Sequence, residues 1–414
     1  MLAGRAATDS SHRKGDSVRI GVLNVGSATA KAAVTDVDGD GRVDFVERLT
    51  AEFPDGGDRE GVIRDTLREL SQPGRSLDGF AHRIVHGGRR FTRPCRIDAG
   101  VESVIEELVD LAPAHNPAAL EGIRAAREVY PELPEVGVFD TTFHAARGPE
   151  SYRYALPEDV AAEPGYRRYG FHGIAHASLV ESLAGALGSE PDRTDAVTLQ
   201  LGSGCSACAV RNGESVETSM GFTPEEGLVM ATRCGDVGPG VIVEMFREGR
   251  SADEVEAVLN ERSGLLGVGG SADMRELLER EGRGDEDAAL AVRMFVRRVV
   301  ERVGAYWTLL EGRGALVFGG GIGTNSAEIR ERVAAGLRAW DVRLDPGRNR
   351  SGEPGRVSAD GSRPVYVFRT DEARLIAREA AAVLASPATS ACGEDAGSDP
   401  ATVHSVGATG GEDA

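Results

Sequence analysis

The feature that narrows the possible folds most is a pattern that occurs twice. Residues 19–48 run as three alternating, β-branched stretches, Ile20 to Asn24, Lys31 to Asp36 and Val43 to Arg48, joined by a Gly-Ser turn and a DGDG turn. From residue 196 the chain repeats the pattern in AVTLQLGSGCSACAVRNGESV: strand, Gly-Ser turn, strand, Asn-Gly hairpin, strand. Alternation with period two, bounded by Gly, Asn and Asp, predicts two antiparallel meanders. In each, the first strand enters a turn rich in glycine and hydroxyls, NVGSAT or QLGSGCS, of the kind that presents consecutive backbone N–H groups to an anion. Two such turns suggest an internal duplication with a phosphate held between the halves.

Between and after the meanders the grammar is α/β. A helix near 59–72, the strand AHRIVH, helices near 101–111 and from Pro117 to Val129, and the strand VGVF ending at Asp140 follow one another. Later come a long amphipathic helix over 285–312, the strand ALVF, and the run GGGIGTNSAEIRERV. That run predicts a bare-backbone turn feeding a helix capped at Asn325 or Ser326, a weak anion or nucleotide signal by itself. A polar loop over 346–364, the strand VYVF and a closing helix begun by Thr370-Asp371-Glu372 complete the body.

The stretch Thr218 to Asp236, TSMGFTPEEGLVMATRCGD, has the pattern of a helix start. Thr223 reads as the N-cap, Pro224 as the first helical residue and Glu226 as the capping-box partner. Arg233 follows on a Gly-flanked segment, where a planar guanidinium suits an oxyanion.

Composition excludes several classes. The chain of 414 residues is long enough for two or three cores, and its net charge of −19 argues against nucleic acid or an anionic membrane as partner. No apolar run reaches the ~18 residues of a membrane span, and residues 1–16 read as a disordered arm without a signal-peptide core. Five scattered cysteines point to a reducing compartment, the cytoplasm. Cys205 and Cys208 sit three apart in a strand and so face opposite ways, which argues against a shared metal. Six of the eight histidines, from His82 to His176, fall in the middle section without a zinc-binding pattern. Of the 47 basic residues all but Lys14 and Lys31 are arginine, which singles out Lys31 in the folded body. Asp36, Asp38, Asp40, Gly41 and Glu47 have EF-hand spacing, but their flanks read as strands, so a hairpin turn is expected and calcium is the open alternative.

The motifs NVGSATAK, HRIVHGG, LAPAHNP, VFDTTFH, RRYGFHG, TSMGFTPEEGLVMATRCGD, SADMRE, GGGIGTNSAEIRER and TDEARLIARE, in this order, resemble the acetate kinase (acetokinase) family over roughly residues 19–384. That family belongs to the acetate and sugar kinase, heat-shock chaperone and actin superfamily. The resemblance implies an α/β fold of two duplicated ribonuclease H-like (actin-like ATPase) domains with an active-site cleft between them. The expected domains are 17–144 plus 375–385 and 145–374, flanked by the arm 1–16 and a disordered tail 386–414. It also implies a cytoplasmic homodimer that reversibly transfers the ATP γ-phosphoryl group to acetate, with Mg²⁺ or Mn²⁺, giving acetyl phosphate and ADP.

Carried over position by position, Arg83, Arg233, His172 and Asp140 would be catalytic. Val85, Ala114, Phe171 and Pro224 would join Arg83 around the acyl substrate. Lys31, Ser27 and Thr29 match the first phosphate hairpin, and Gln200, Gly202, Ser203 and Gly204 the second. Asp273, Met274, Arg275, Gly321, Ile322, Gly323 and Asn325 would meet the nucleotide, and Asn24 and Glu372 the metal.

The chain departs from the family pattern at several of these positions. Gln200 and Ser203 stand where a His and an Asn are usual, Ala114 where a leucine is, and Thr324, Ala231 and Gly238 where Glu, Gly and Asp are. Trading leucine for alanine removes about three methylene-sized groups, which suggests room for a longer acid. A propionate- or butyrate-type kinase and a non-catalytic nucleotide-binding relative are therefore the alternatives.

Overall fold

Helices cover both faces of the first sheet, so its central strands are apolar almost throughout rather than alternating. A computed structural model describes residues 17–386 apart from 27, 55–56, 71–75, 114 and 163–164. The expected N-terminal arm, the tail beyond 386, Lys14 and the candidates Ser27 and Ala114 lie outside the described residues.

The first meander is β1 (Val18–Val25), β2 (Thr29–Val37) and β3 (Val43–Glu52). Its β1–β2 register runs from Val18 opposite Val37 to Val25 opposite Ala30. β4 (Gly79–Ile84) adds parallel to β1, β6 (Glu135–Phe139) adds parallel to β4, and the short β5 (Cys95–Arg96) closes the edge antiparallel to β6. The DGDG segment is the β2–β3 turn: Asp38 accepts from the backbone N–H groups of Asp40 and Arg42, and Asp36 pairs with Arg19 at 2.6 Å.

The second sheet repeats this plan strand for strand. β7 (Ala196–Leu201), β8 (Cys205–Arg211) and β9 (Glu214–Thr218) form the meander. β10 (Ala315–Gly319) and β12 (Val365–Val367) add in parallel, and β11 (Gly355–Arg356) closes the edge. The orders β3-β2-β1-β4-β6-β5 and β9-β8-β7-β10-β12-β11 superpose element on element, so the duplication expected from the two Gly-Ser turns is present in the topology.

The helix after the last parallel strand of each half crosses to the other half. Helix Gly173–Leu187, following β6, sets Leu179, Val180 and Leu183 against Ala196, Val210 and Val317 of the second sheet. Helix Glu372–Ala385, following β12, sets Leu375, Ile376, Ala377 and Ala380 against Ile20, Val22, Ala81 and Val138 of the first. The two crossed helices touch each other and tie the halves together. Cys205 and Cys208 lie in two different core clusters on opposite faces of the second sheet, as the period of a strand requires.

One local expectation fails, and a second holds in its cap at Ser326 but not in the turn before it. Residues 219–238 form no helix. Glu226 does not reach back to cap Thr223, because its carboxylate is taken by the Tyr154 hydroxyl at 2.5 Å and by the Arg168 guanidinium. The segment closes on itself instead: Gly227 N donates to Asp236 Oδ1 and Asp236 N donates to Gly227 O, with Gly227 at φ 106°, outside any helix. The Gly-rich run departs the other way. Gly320–Asn325 is itself a short helix with Gly319 at its N-cap, and Ser326 caps the next helix, Ala327–Gly336, by accepting from Ile329 N.

Candidate active site

The two meander turns stand at equivalent places, so their polar residues are comparable. Asn24 is the penultimate residue of β1 and pairs across the ladder with Lys31; Gln200 is the penultimate residue of β7 and pairs with Ser206. Asn24, Lys31, Gln200, Gly321 and Glu372 line one cavity of about 420 Å³ between the halves. Thr370 Oγ1 donates to Gln200 Oε1 at 2.8 Å, which commits the amide oxygen and leaves its N–H donors as the end suited to an anion. The Gly202–Gly204 turn lies against the start of the short helix: a Cβ added at Gly202 would sit 3.8 Å from Gly321 N. The bare backbone of the Gly202–Gly204 turn therefore adjoins that of Gly321, which lines the cavity.

At the end of β4, Arg83 meets Asp140 in a two-pronged pair, Nη2 to Oδ2 at 2.5 Å and Nε to Oδ1 at 3.2 Å. Asp140 is fixed just past β6 by its own N–H on Ile84 O. Arg83 Nη1 also donates to Asn24 Oδ1 at 3.3 Å, and Glu372 lies 3.8 Å from its Nε. Asn24 Nδ2 in turn donates to Glu372 Oε2 at 3.3 Å. One residue from β1, one from β4, one after β6 and one at the head of helix Glu372–Ala385 thus form a single polar network. Burial pushes the Asp140 carboxyl up to about 6 against the opposing pull of Arg83. Burial also pulls down on the Arg83 guanidinium, but Asp140 and Glu372 outweigh it and hold the charge on firmly.

His172 sits at φ 58°, in the left-handed region, directly before helix Gly173–Leu187. The next position must be glycine: Gly173 N donates to Asp140 O at 2.8 Å, and a Cβ there would lie 2.2 Å from that same oxygen. This close approach binds the helix start to Asp140 and presents His172 toward the second turn. A Cβ on Gly204 would meet His172 Nε2 at 3.4 Å and Arg233 Nη1 at 3.8 Å, so these three residues adjoin. Burial, then the charges of Arg83 and Arg233, press His172 down to about 3. His115 is pressed to about 4 by burial and the same two arginines. A concentrated positive field acts on this corner of the cleft. It suits an anion with several equatorial oxygens.

Val85 and Phe171 lie at the edge and inside of the large core of the second half, with the His86 ring 5.4 Å from Phe171. Pro224 reaches the site through its carbonyl, 3.5 Å from Arg233 Nη1. Thr29 opens β2, and its carbonyl accepts from Gly26 N across the first turn. Ser203 O accepts from Ala231 N, which ties the second turn to the Arg233 segment. The nucleotide candidates separate. Gly321 lines the cavity, and Asn325 Nδ2 holds Gly321 O at 2.9 Å. Ile322 and Met274 pack into the core. Asp273 caps helix Met274–Gly282 and pairs with Arg275 at 2.6 Å; neither of the two lines that cavity.

Two further groups, His115 and Arg330, bear on the site without a local signal in the sequence. His115 was visible in LAPAHNP, but nothing local tied it to two arginines distant in the chain. Arg330 is at 2 % exposure, yet among the described residues its guanidinium meets no carboxylate. It donates to Gly323 O and Thr324 O at 2.9 Å each, and to Asn349 Oδ1 at 2.8 Å. Arg330 therefore holds the Gly320–Asn325 helix from behind. Arg330→Met should strand those oxygens, at a cost of about 1–3 kcal/mol for each one left unpaired. We expect a lower denaturation midpoint, read by urea melts; an unchanged midpoint would remove this role.

The acetokinase family model matches residues 47–378. The acetate kinase of Micrococcus luteus is 42% identical over 376 residues, covering 86% of this chain and 97% of that protein. Among solved structures, a propionate kinase from Francisella tularensis superposes with a TM-score of 0.79 at 34% identity, over 87% of this chain and 98% of its own. The Porphyromonas gingivalis acetate kinase gives 0.78 at 34% identity, over 89% and 100%.

Proposed function

Because the chain belongs to the acetokinase family, we propose that it is a kinase transferring the γ-phosphoryl group of ATP to acetate, giving acetyl phosphate and ADP. The observation that carries this reading is the convergence of Arg83, Arg233 and His172 on the corner beside the Gly202–Gly204 turn. A carboxylate oxygen attacks the γ-phosphorus while the bond to the β,γ-bridging oxygen breaks, and ADP leaves with that electron pair. A carboxylate is already ionised at neutral pH, so the attack needs no general base. Asp140 is accordingly read as the group that orients Arg83 and not as a proton acceptor. Arg83, Arg233 and His172 supply donors to the equatorial oxygens, where charge spreads as the phosphoryl group moves.

Glu372 offers a hard oxygen donor on the cavity wall and Asn24, whose Nδ2 donates to Glu372 and whose Oδ1 accepts from Arg83, would hold that carboxylate; with water and phosphate oxygens this would fit Mg²⁺ or Mn²⁺. Such an ion would neutralise charge on the nucleotide phosphates. Reversibility, a homodimer, a cytoplasmic location and the domain limits 17–144 plus 375–385 and 145–374 belong to the same reading and rest on the family resemblance. The cysteines among the described residues are free. No helix among the described residues is long and apolar enough to cross a membrane.

The test is hydroxamate trapping of acyl phosphate from ATP, Mg²⁺ and either acetate or propionate. Product that depends on ATP and acid is expected; none with either acid, from folded protein that binds ATP, would sink the proposal. Ala114 gives the substrate preference a handle. Ala114→Leu should lower the propionate-to-acetate ratio of kcat/KM by roughly tenfold, the scale of one methylene in an apolar pocket. A ratio that does not fall would detach Ala114 from acid selection.

A further inference from the structure

Behind His172 runs a chain of three buried hydrogen bonds that the phosphotransfer chemistry itself does not call on. His172 Nδ1 lies 2.9 Å from Ser206 Oγ, which lies 2.8 Å from His176 Nε2. His176 Nδ1 lies 2.8 Å from Thr198 Oγ1. Ser206 is on β8, Thr198 on β7 and His176 one turn beyond His172; all three are fully buried. Each hydroxyl carries one proton and each neutral imidazole one N–H, so only two polarities make all three bonds.

In the inward polarity His172 donates from Nδ1, and the last proton falls on Thr198. Among the described residues the Thr198 hydroxyl meets only His176, so that proton would be buried without an acceptor. In the outward polarity Thr198 donates to His176 Nδ1, His176 Nε2 donates to Ser206, and Ser206 donates to His172 Nδ1. Every buried proton then has a partner, and the proton left over is on His172 Nε2, the atom beside Gly204 and Arg233. Arg233 alone would favour a lone pair there; the buried Thr198 proton decides against it.

We infer that Thr198, His176 and Ser206 are positioning residues that fix the His172 tautomer, with its proton on Nε2 and aimed at the transferring phosphoryl group. Burial and the two arginines keep His172 from becoming doubly protonated, so the tautomer governs whether it donates at all. The structure thereby gives a dedicated donor its direction without giving it a charge.

This inference rests on the phosphotransfer reading for its purpose, but it is measured in the resting protein. Two-bond ¹H–¹⁵N spectra of the full chain labelled at histidine report the tautomer, with the His172 signal assigned by its loss in His172→Asn. We expect Nε2–H in the native protein. Thr198→Val keeps the shape but removes the terminal donor, and Ser206→Ala removes the middle link; both should move His172 toward mixed tautomers. The kcat should fall roughly tenfold to a hundredfold, short of the loss of an oxyanion donor outright, with KM for ATP and acid within about twofold. Thr198→Ser should restore both the tautomer and the rate. Nδ1–H in the native protein, or Nε2–H unchanged in both variants, would overturn the relay. A protein that forms no acyl phosphate yet shows the Thr198-dependent tautomer overturns the phosphotransfer reading alone.

Discussion

Arg83→Ala is expected to lose transfer and to unfold more easily, with the loss of stability larger at pH 8 than at pH 5. Asp140 is 1 % exposed and is matched by the Arg83 fork, so removing the guanidinium leaves a buried carboxylate uncompensated. Breaking such a pair from one side typically costs about 3–5 kcal/mol. The pH dependence follows from the native pKa of Asp140, held at about 6 by burial, above the ~3.9 of an unfolded Asp. Between those values the native state binds more protons than the unfolded state, so this group's contribution to stability falls as pH rises through the window and is flat above it. Without Arg83 the opposing pull disappears, the native pKa climbs further, and the penalty keeps growing past pH 6. At pH 5 the carboxyl is already largely protonated and the missing arginine costs little. Urea melts at both pH values measure this. Arg83→Ala with Asp140→Asn should recover most of the stability at pH 8 and none of the activity. A single variant equally destabilised at both pH values would show that the buried charge is not the cause.

Arg233→Ala should separate function from stability in the other direction. Among the described residues its side chain makes one long hydrogen bond, 3.5 Å to Pro224 O, and the segment around it is closed by backbone bonds that do not involve the guanidinium. Stability should change by less than about 1 kcal/mol, while kcat falls roughly 10²- to 10³-fold, as when one oxyanion-stabilising donor is removed. Arg233→Lys should not rescue the rate, because a point charge lacks the planar fork that spans two oxygens. A kcat within threefold of the native value would take Arg233 out of the reaction.

What was legible from residues alone shares one property: it depends on short-range periodicity. The two meanders, the opposite facing of Cys205 and Cys208, the DGDG hairpin and the long helix Glu286–Leu309 all follow from repeats of two or 3.6 residues and from turn chemistry. The duplicated topology followed because two turns with the same composition ended two strands with the same pattern. The helix expected from Thr223 to Arg233 fails for the complementary reason. Its capping box was locally sound, but Tyr154 and Arg168, 72 and 58 residues away, hold the Glu226 carboxylate instead.

The sequence by itself determined the α/β class, the doubled architecture, the Gly-rich turns and the set of motifs that mark the family. Each of these is written in residues near one another in the chain, where backbone geometry alone limits the outcome. Only the tertiary structure decided which charges face each other: that Arg83 is clamped by Asp140 and adjoins Asn24 and Glu372, that His115 shares the field of two arginines, and that Arg330 braces Gly323 and Thr324. It also decided the direction of His172, which hangs on Ser206, His176 and Thr198 from two strands and a helix. Burial and long-range pairing set those properties, and neither has a period that a linear sequence can display.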